Sequence, residues 1–162
     1  MSQDAENERA ALQQILQSYL VLFSQQRWDE WIDLWADDGV LEFPFAPPGR
    51  RSRYVGKPDI LAYMKAVAVR MAGRIKSEGL EYFRMHAMLD PATACVEMGV
   101  KGRILETGAP YHQKYISIVE TKGGKVSLYT EYWNPIVSMD ANGGRDAWTA
   151  AFGSPEQGGA AS

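Results

Sequence analysis

The feature that most restricts the fold of this chain is a change of hydrophobic period near its midpoint. Over residues 7–23 the apolar side chains Ala11, Leu12, Ile15, Leu16, Tyr19, Leu22 and Phe23 recur every three or four positions, one stripe of an amphipathic helix. Trp28, Trp31, Ile32, Leu34 and Trp35 continue at helical spacing and predict a second, short helix, stopped by Asp37-Asp38-Gly39 with glycine in the C-cap role. Residues 40–45 are β-branched and aromatic and run into Pro44 and Pro47, which predicts an edge-type strand leaving the sheet. A long loop carrying arginines follows. Gly56-Lys57-Pro58-Asp59 opens a third helix with Ile60, Leu61, Met64, Val67, Ala68 and Met71 on one face, ended by Gly73 or Gly79.

After that the period becomes two. Residues 80–89, 93–105, 111–120 and 125–133 read as strands, separated by Asp90-Pro91, by residues 106–110 and by Lys122-Gly123-Gly124, whose Gly-Gly pair predicts a hairpin. Helices followed by a meander predict an α+β fold in which three helices of the N-terminal half pack on one face of a curved, mostly antiparallel sheet.

A length of 162 residues fits one domain, placed at 1–145, with a tail over 146–162 whose Gly, Ala, Ser and Pro content predicts disorder from about residue 154. No apolar run reaches the roughly 18 residues of a membrane-spanning helix. The polar, acidic residues 1–9 lack a secretory pattern, so a cytoplasmic location is expected. A net charge of -3 argues against a nucleic-acid partner. The single cysteine, Cys95, excludes a disulfide within one chain and reads first as a small buried hydrophobe, second as a nucleophile. Arg50, Arg51, Arg53 and Lys57 read first as a solvated loop, second as a rim that attracts an anionic substrate. Two scattered histidines do not make a metal site, and no GxGxxG or P-loop pattern occurs. Chemistry without metal or cofactor is the expectation.

The element order, with Leu34-Trp35-Ala36-Asp37-Asp38-Gly39 and Glu42-Phe43-Pro44, resembles the nuclear transport factor 2-like superfamily, which includes SnoaL-type cyclases and ketosteroid isomerases. The later half is most similar to the PhzA/PhzB phenazine-biosynthesis proteins: Asp90-Pro91, Val96-Glu97, Lys101-Gly102-Arg103-Ile104, Tyr111-His112-Gln113-Lys114-Tyr115-Ile116, Gly124-Lys125-Val126 and Glu131-Tyr132-Trp133-Asn134-Pro135 fall in the matching order. The resemblance covers roughly residues 11–136. It implies a cone-shaped barrel, a hydrophobic small molecule held between concave sheet and helices, and a homodimer formed through the convex face. Its members include isomerases, dehydratases, cyclases, epoxide hydrolases and non-catalytic binders, so function must be argued from the site.

The resemblance places Tyr19 where ketosteroid isomerases carry an oxyanion-binding tyrosine, a role suited to a neutral buried phenol. It places Phe43 where they carry the catalytic aspartate, and a phenylalanine moves no proton. Glu42, next along the strand, faces the opposite side if Phe43 faces the pocket. Glu131 matches the PhzA/PhzB glutamate, for which the resemblance implies proton transfer to the substrate, and strand alternation puts it on one face with Tyr129 and Trp133. Aromatic neighbours strip its hydration and raise its pKa. The other reading pairs Glu131 with Arg84 or Lys114 on the outer face. Tyr63 stands where that family has a helical histidine. His112 is a further candidate for sharing protons with Glu131 and ranks above His86.

The catalytic set is therefore Glu131, Tyr19, Tyr63 and His112, and the substrate wall is Phe43, Phe45, Trp35, Tyr115, Tyr129 and Trp133. The function expected is a cofactor-independent acid–base enzyme of the isomerase, lyase or cyclase type acting on a ring compound. The alternative is a non-catalytic binder on the same scaffold.

Overall fold

The computed structural model describes residues 2–47 and 50–147. Its elements are α1 (Gln3–Ser24), α2 (Trp28–Asp33), β1 (Trp35–Glu42), β2 (Arg53–Val55), α3 (Lys57–Ala72), β3 (Ile75–Ala87), β4 (Thr93–Ile104), β5 (Pro110–Lys122), β6 (Lys125–Trp133) and α4 (Pro135–Ala141). The strands form one six-stranded sheet in the order β2-β1-β6-β5-β4-β3. Only β1 and β6 run parallel; all other neighbours are antiparallel. The α+β architecture expected from the change of period is present. The sheet curves but stays open, with β2 and β3 as its edges, so the barrel is not closed.

Local chemistry sets the boundaries. The Ser2 hydroxyl accepts from the Ala5 N–H at the start of α1, and Asp4 and Glu6 in the first turn complement its dipole. Beyond its end, Gln26 takes a left-handed φ of 55°, which turns the chain into α2. Gly56 precedes α3 at φ 83°, and Asp59 accepts the Val55 N–H while pairing with Arg51. The Gly123-Gly124 turn has φ values of 58° and 72°, both accessible to glycine, and closes the β5–β6 hairpin at the Lys122–Lys125 pair.

Three expectations are corrected. The second helix stops at Asp33, and Trp35 already belongs to β1, where it pairs with Val126. A tryptophan suits either period, and sheet hydrogen bonding, with the Val126 N–H donating to the Leu34 carbonyl at 2.8 Å, decides the matter. β1 is interior, flanked by β2 and β6; the short β2 inside the arginine loop takes the edge. Pro44 and Pro47 lie beyond the strand end, where they remove no ladder bond. Finally, α4 was not expected, although Asn134 caps it through Ile136 N and Pro135 sits in its first turn. The expected disorder from residue 154 lies outside the described residues.

The helices cover one face of the sheet. Leu12, Leu16 and Tyr19 of α1, Trp31 and Ile32 of α2 and Ile60 of α3 are buried against Leu41, Val96, Val119, Val126 and Tyr129. Each large side chain so enclosed contributes about 1.5–3 kcal/mol. No helix among the described residues is long and apolar enough to cross a membrane.

Candidate functional site

Cross-strand register fixes which side chains share the helix-covered face. Glu131 stands opposite Ser117 on β5, which stands opposite Val96 on β4. The flanking rows are Tyr129–Val119–Ala94 and Trp133–Tyr115–Met98, and Leu41 of β1 pairs with Tyr129. Directly paired residues point the same way. Val96, Val119, Tyr129 and Leu41 belong to the core beneath the helices, so Glu131, Tyr115 and Trp133 face the helices as well.

Protein surrounds the Glu131 side chain, yet part of its surface remains accessible. Among the described residues nothing donates a hydrogen bond to its carboxyl and no cation pairs with it. Burial alone raises its pKa from 4.5 to about 7. Arg84 and Lys114, the alternative partners, are on the other face, where Arg84 donates to Glu97 at 3.4 Å.

Five tyrosines lie within electrostatic reach of this carboxyl: Tyr19 from α1, Tyr63 from α3, Tyr111 and Tyr115 from β5 and Tyr129 from β6. Burial pushes every one of these phenols above its ordinary value, and the charge of Glu131 adds to the rise. All five remain neutral O–H groups across the physiological range. Their positions are fixed by ring packing. Tyr19 stacks on Tyr129 at 5.2 Å and leans on Trp31 at 5.0 Å. Tyr63 stacks on Tyr54 at 4.0 Å and meets Phe43 at 5.4 Å. The Tyr115 hydroxyl interacts with that of Tyr111, and the Ser117 side chain with the Tyr129 hydroxyl.

A further polar clamp steadies the end of β6. Gln113, 1% exposed, donates through Nε2 to the Asn134 carbonyl at 2.8 Å and accepts the Asn134 N–H at 3.3 Å. It ties β5 to the junction of β6 and α4, one residue past Trp133.

The structure thus brings together Glu131, Tyr19, Tyr63, Tyr115, Tyr129, Trp133 and Phe43. It does not bring His112 or Phe45 to them. His112 pairs with Lys101 on the opposite face, its side chain is 56% exposed, and its nearest acid is Glu81 at 3.9 Å. One step of strand alternation separates it from Tyr111 and Gln113, which do face inward. His86 is on the same outer face, bonded to Glu97 at 2.9 Å beside half-buried Cys95. Phe45 lies beyond β1, is 62% exposed and meets Tyr132 at 5.1 Å, so it belongs to the outer surface. Trp35 is fully buried behind Tyr19 and Tyr129 and supports the site without lining it. Glu42 is turned outward as expected, accepting from the Thr130 hydroxyl at 3.0 Å.

Sequence reading missed Tyr111, Ser117 and Tyr54. The alternation that marks Tyr115 also marks Tyr111 and Ser117, whereas Tyr54 sits in a three-residue strand with no sequence signal. Among the described residues no three His, Cys, Asp or Glu side chains converge as a metal-binding group.

Residues 16–129 match the SnoaL-like domain family. An uncharacterized PhzA/B-like protein of Pseudomonas aeruginosa is 34% identical over 117 residues, which is 72% of this chain and 79% of that protein. A solved Bacillus subtilis structure, provisionally called an isomerase, is 32% identical with a TM-score of 0.74, covering 85% of this chain and 96% of that one. A phenazine biosynthesis-related protein of Pseudomonas aeruginosa shares the fold at a TM-score of 0.67 and 18% identity, over 88% of this chain and 91% of its own. The chain belongs to the SnoaL-like family within the nuclear transport factor 2-like superfamily and is related to its PhzA/B-like proteins.

Proposed function

We propose that the protein is a cofactor-independent acid–base enzyme of the isomerase, lyase or cyclase type, acting on a hydrophobic, ring-containing small molecule held between sheet and helices. The observation that carries this reading is the carboxyl of Glu131: without a partner among the described residues, ringed by neutral phenols and with its pKa pushed up to about 7 by burial. A group surrounded by protein that keeps accessible surface fits the border of an internal hollow. A carboxyl with that pKa both accepts and returns a proton at neutral pH, the requirement for moving a hydrogen along a substrate. Tyr19 and Tyr63 serve as donors to a substrate oxygen that gains charge as the proton leaves. Tyr115, Tyr129, Trp133 and Phe43 give the ring an apolar wall. The name provisionally given to the Bacillus subtilis relative agrees with chemistry of this class.

Phe43 favours a second reading, a non-catalytic binder. Buried against Tyr54 and Tyr63, it offers no acid where ketosteroid isomerases have theirs. Deuterium uptake from D2O into 2-tetralone, followed by mass spectrometry, separates the two. An enzyme accelerates exchange at the carbon beside the carbonyl, and Glu131→Gln slows it by about 100- to 10,000-fold while tetralone still binds. Binding without accelerated exchange would establish the binder.

We also assign the outer sheet face, with exposed Phe45 and Ile116, to a homodimer contact.

A further inference from the structure

The β5–β6 ladder ends at the Tyr115–Trp133 pair, and Pro135, two residues on, has no N–H with which to continue it. At that point the side chain of Gln113 takes over from the backbone. Its Nε2 donates to the Asn134 carbonyl at 2.8 Å and its Oε1 accepts the Asn134 N–H at 3.3 Å, the two bonds that a paired strand residue would make. Asn134 in turn carries α4, since its Oδ1 accepts the Ile136 N–H at 3.0 Å. A buried side-chain amide thus fixes where β6 stops and α4 starts, next to Trp133 and close along the strand to Glu131.

The same amide has a second attachment. Oε1 also accepts the Lys114 N–H at 3.1 Å, so both of its lone pairs are used, and the second Nε2 proton is left for the Tyr111 hydroxyl, with which Gln113 interacts. Tyr111, Gln113 and Tyr115 alternate along β5 on the helix-covered face, and the Tyr111 hydroxyl interacts with that of Tyr115. The Tyr111 ring is buried in a cluster with Ile75 of β3 and with Val137 and Ala141 of α4. Gln113 is therefore the junction of two lines. One runs along the backbone to Trp133 and Glu131; the other runs through hydroxyls to Tyr115, whose row lies next to that of Glu131. A buried amide with its groups engaged rigidifies what it joins.

We propose that Gln113 is a positioning residue of the site: it holds the Glu131–Trp133 end of β6 and the Tyr111–Tyr115 hydroxyl pair at a fixed spacing around the ligand, without itself touching a reacting atom. This rests on the acid–base reading above and adds a residue to it. A misplacement of about 1 Å at a reacting group costs about 100-fold in rate, so a clamp one row away is felt in turnover before it is felt in binding.

The test uses two variants of the full chain. Gln113→Met keeps the length of the side chain and removes the amide; Tyr111→Phe cuts only the hydroxyl line and leaves the bonds to Asn134 in place. In Gln113→Met, deuterium exchange into 2-tetralone slows by about 10- to 100-fold, while the dissociation constant of tetralone from calorimetry stays within about 2-fold. Tyr111→Phe slows exchange less, and the double variant is no slower than Gln113→Met, which has already severed the Tyr111 line. An unchanged rate, a loss of binding in place of rate, or single effects that add would overturn the proposal. If Gln113→Met does not fold, Tyr111→Phe carries the test, and exchange as fast as in the unaltered protein overturns it. A carbon-13 titration of the Glu131 carboxyl reads the same claim without turnover. The midpoint falls by about one unit or more in Gln113→Met, where the loosened strand end admits water, and stays near that of the unaltered protein in Tyr111→Phe. Absence of exchange in the unaltered protein would remove the acid–base reading alone; an unmoved midpoint in Gln113→Met with native circular dichroism would remove the positioning role.

Discussion

A carboxyl group surrounded by protein without a hydrogen-bond donor is held against its own solvation, and Glu131, which has none among the described residues, carries that burden in this fold. Raising its pKa from 4.5 to about 7 penalises the ionised folded state by up to about 3 kcal/mol. The sign follows from which state binds the proton more tightly. The folded state does, so this group's contribution to stability is full below about 4.5 and is lost as pH rises through about 7. Glu131→Gln is expected to unfold at a higher denaturant concentration than the unaltered protein at pH 8 and at the same concentration at pH 4, read from urea titrations. Tyr19→Phe removes one donor and leaves the ring stack on Tyr129 intact. Its expected signature is a fall of about 100-fold in exchange rate with nearly unchanged binding. At this scale the sequence was informative wherever alternation governs. Glu131, Tyr115, Tyr129 and Trp133 share a face as their spacing requires, and His112 is excluded by the same rule, being out of step with Tyr111 and Gln113. The tyrosine surround was legible in part: Tyr115 and Tyr129 follow from alternation, Tyr19 and Tyr63 came from the family resemblance because they reach Glu131 across helix-to-sheet packing that no local period encodes, and Tyr111 was missed.

Elements hold these residues in place through a few close contacts. The stripe Leu12, Leu16 and Tyr19 docks α1 on the sheet and carries the Tyr19 phenol to Glu131. Leu16→Ala is expected to lower unfolding free energy by about 2–5 kcal/mol, measured in urea. Gly102 tests the β3–β4 edge independently of the site. A Cβ there would lie 2.5 Å from the Lys76 carbonyl oxygen, a backbone atom that cannot swing aside. Gly102→Ala should therefore cost about 1–3 kcal/mol by the same measurement while leaving ligand binding unchanged. Helices α1 and α3, the four long strands and the Gly-Gly hairpin were readable because period, caps and turn glycines agree. The early end of α2, the interior place of β1 and the existence of β2 were not. Each depends on hydrogen bonds to strands far along the chain, such as Val126 N to the Leu34 carbonyl.

At the scale of the whole molecule, the open sheet leaves its outer face without a covering helix among the described residues, with Phe45 on Tyr132 and Ile116 at 40% exposure. A dimer through this face has a mass near twice 18.1 kDa, and Ile116→Glu is expected to reduce it to a monomer in light-scattering measurements. The two faces of the sheet then divide the work. The outer one carries the Arg84–Glu97–His86 polar network and the proposed dimer contact; the inner one carries the buried acid. Everything chemical depends on the state of that acid in the assembled protein. Its most direct measurement is a carbon-13 NMR titration of protein labelled at the glutamate carboxyl carbon, with the Glu131 resonance assigned by its absence in Glu131→Gln. A midpoint near 7 is expected; a midpoint at or below 4.5, the ordinary value, would place the carboxylate in water and contradict the account.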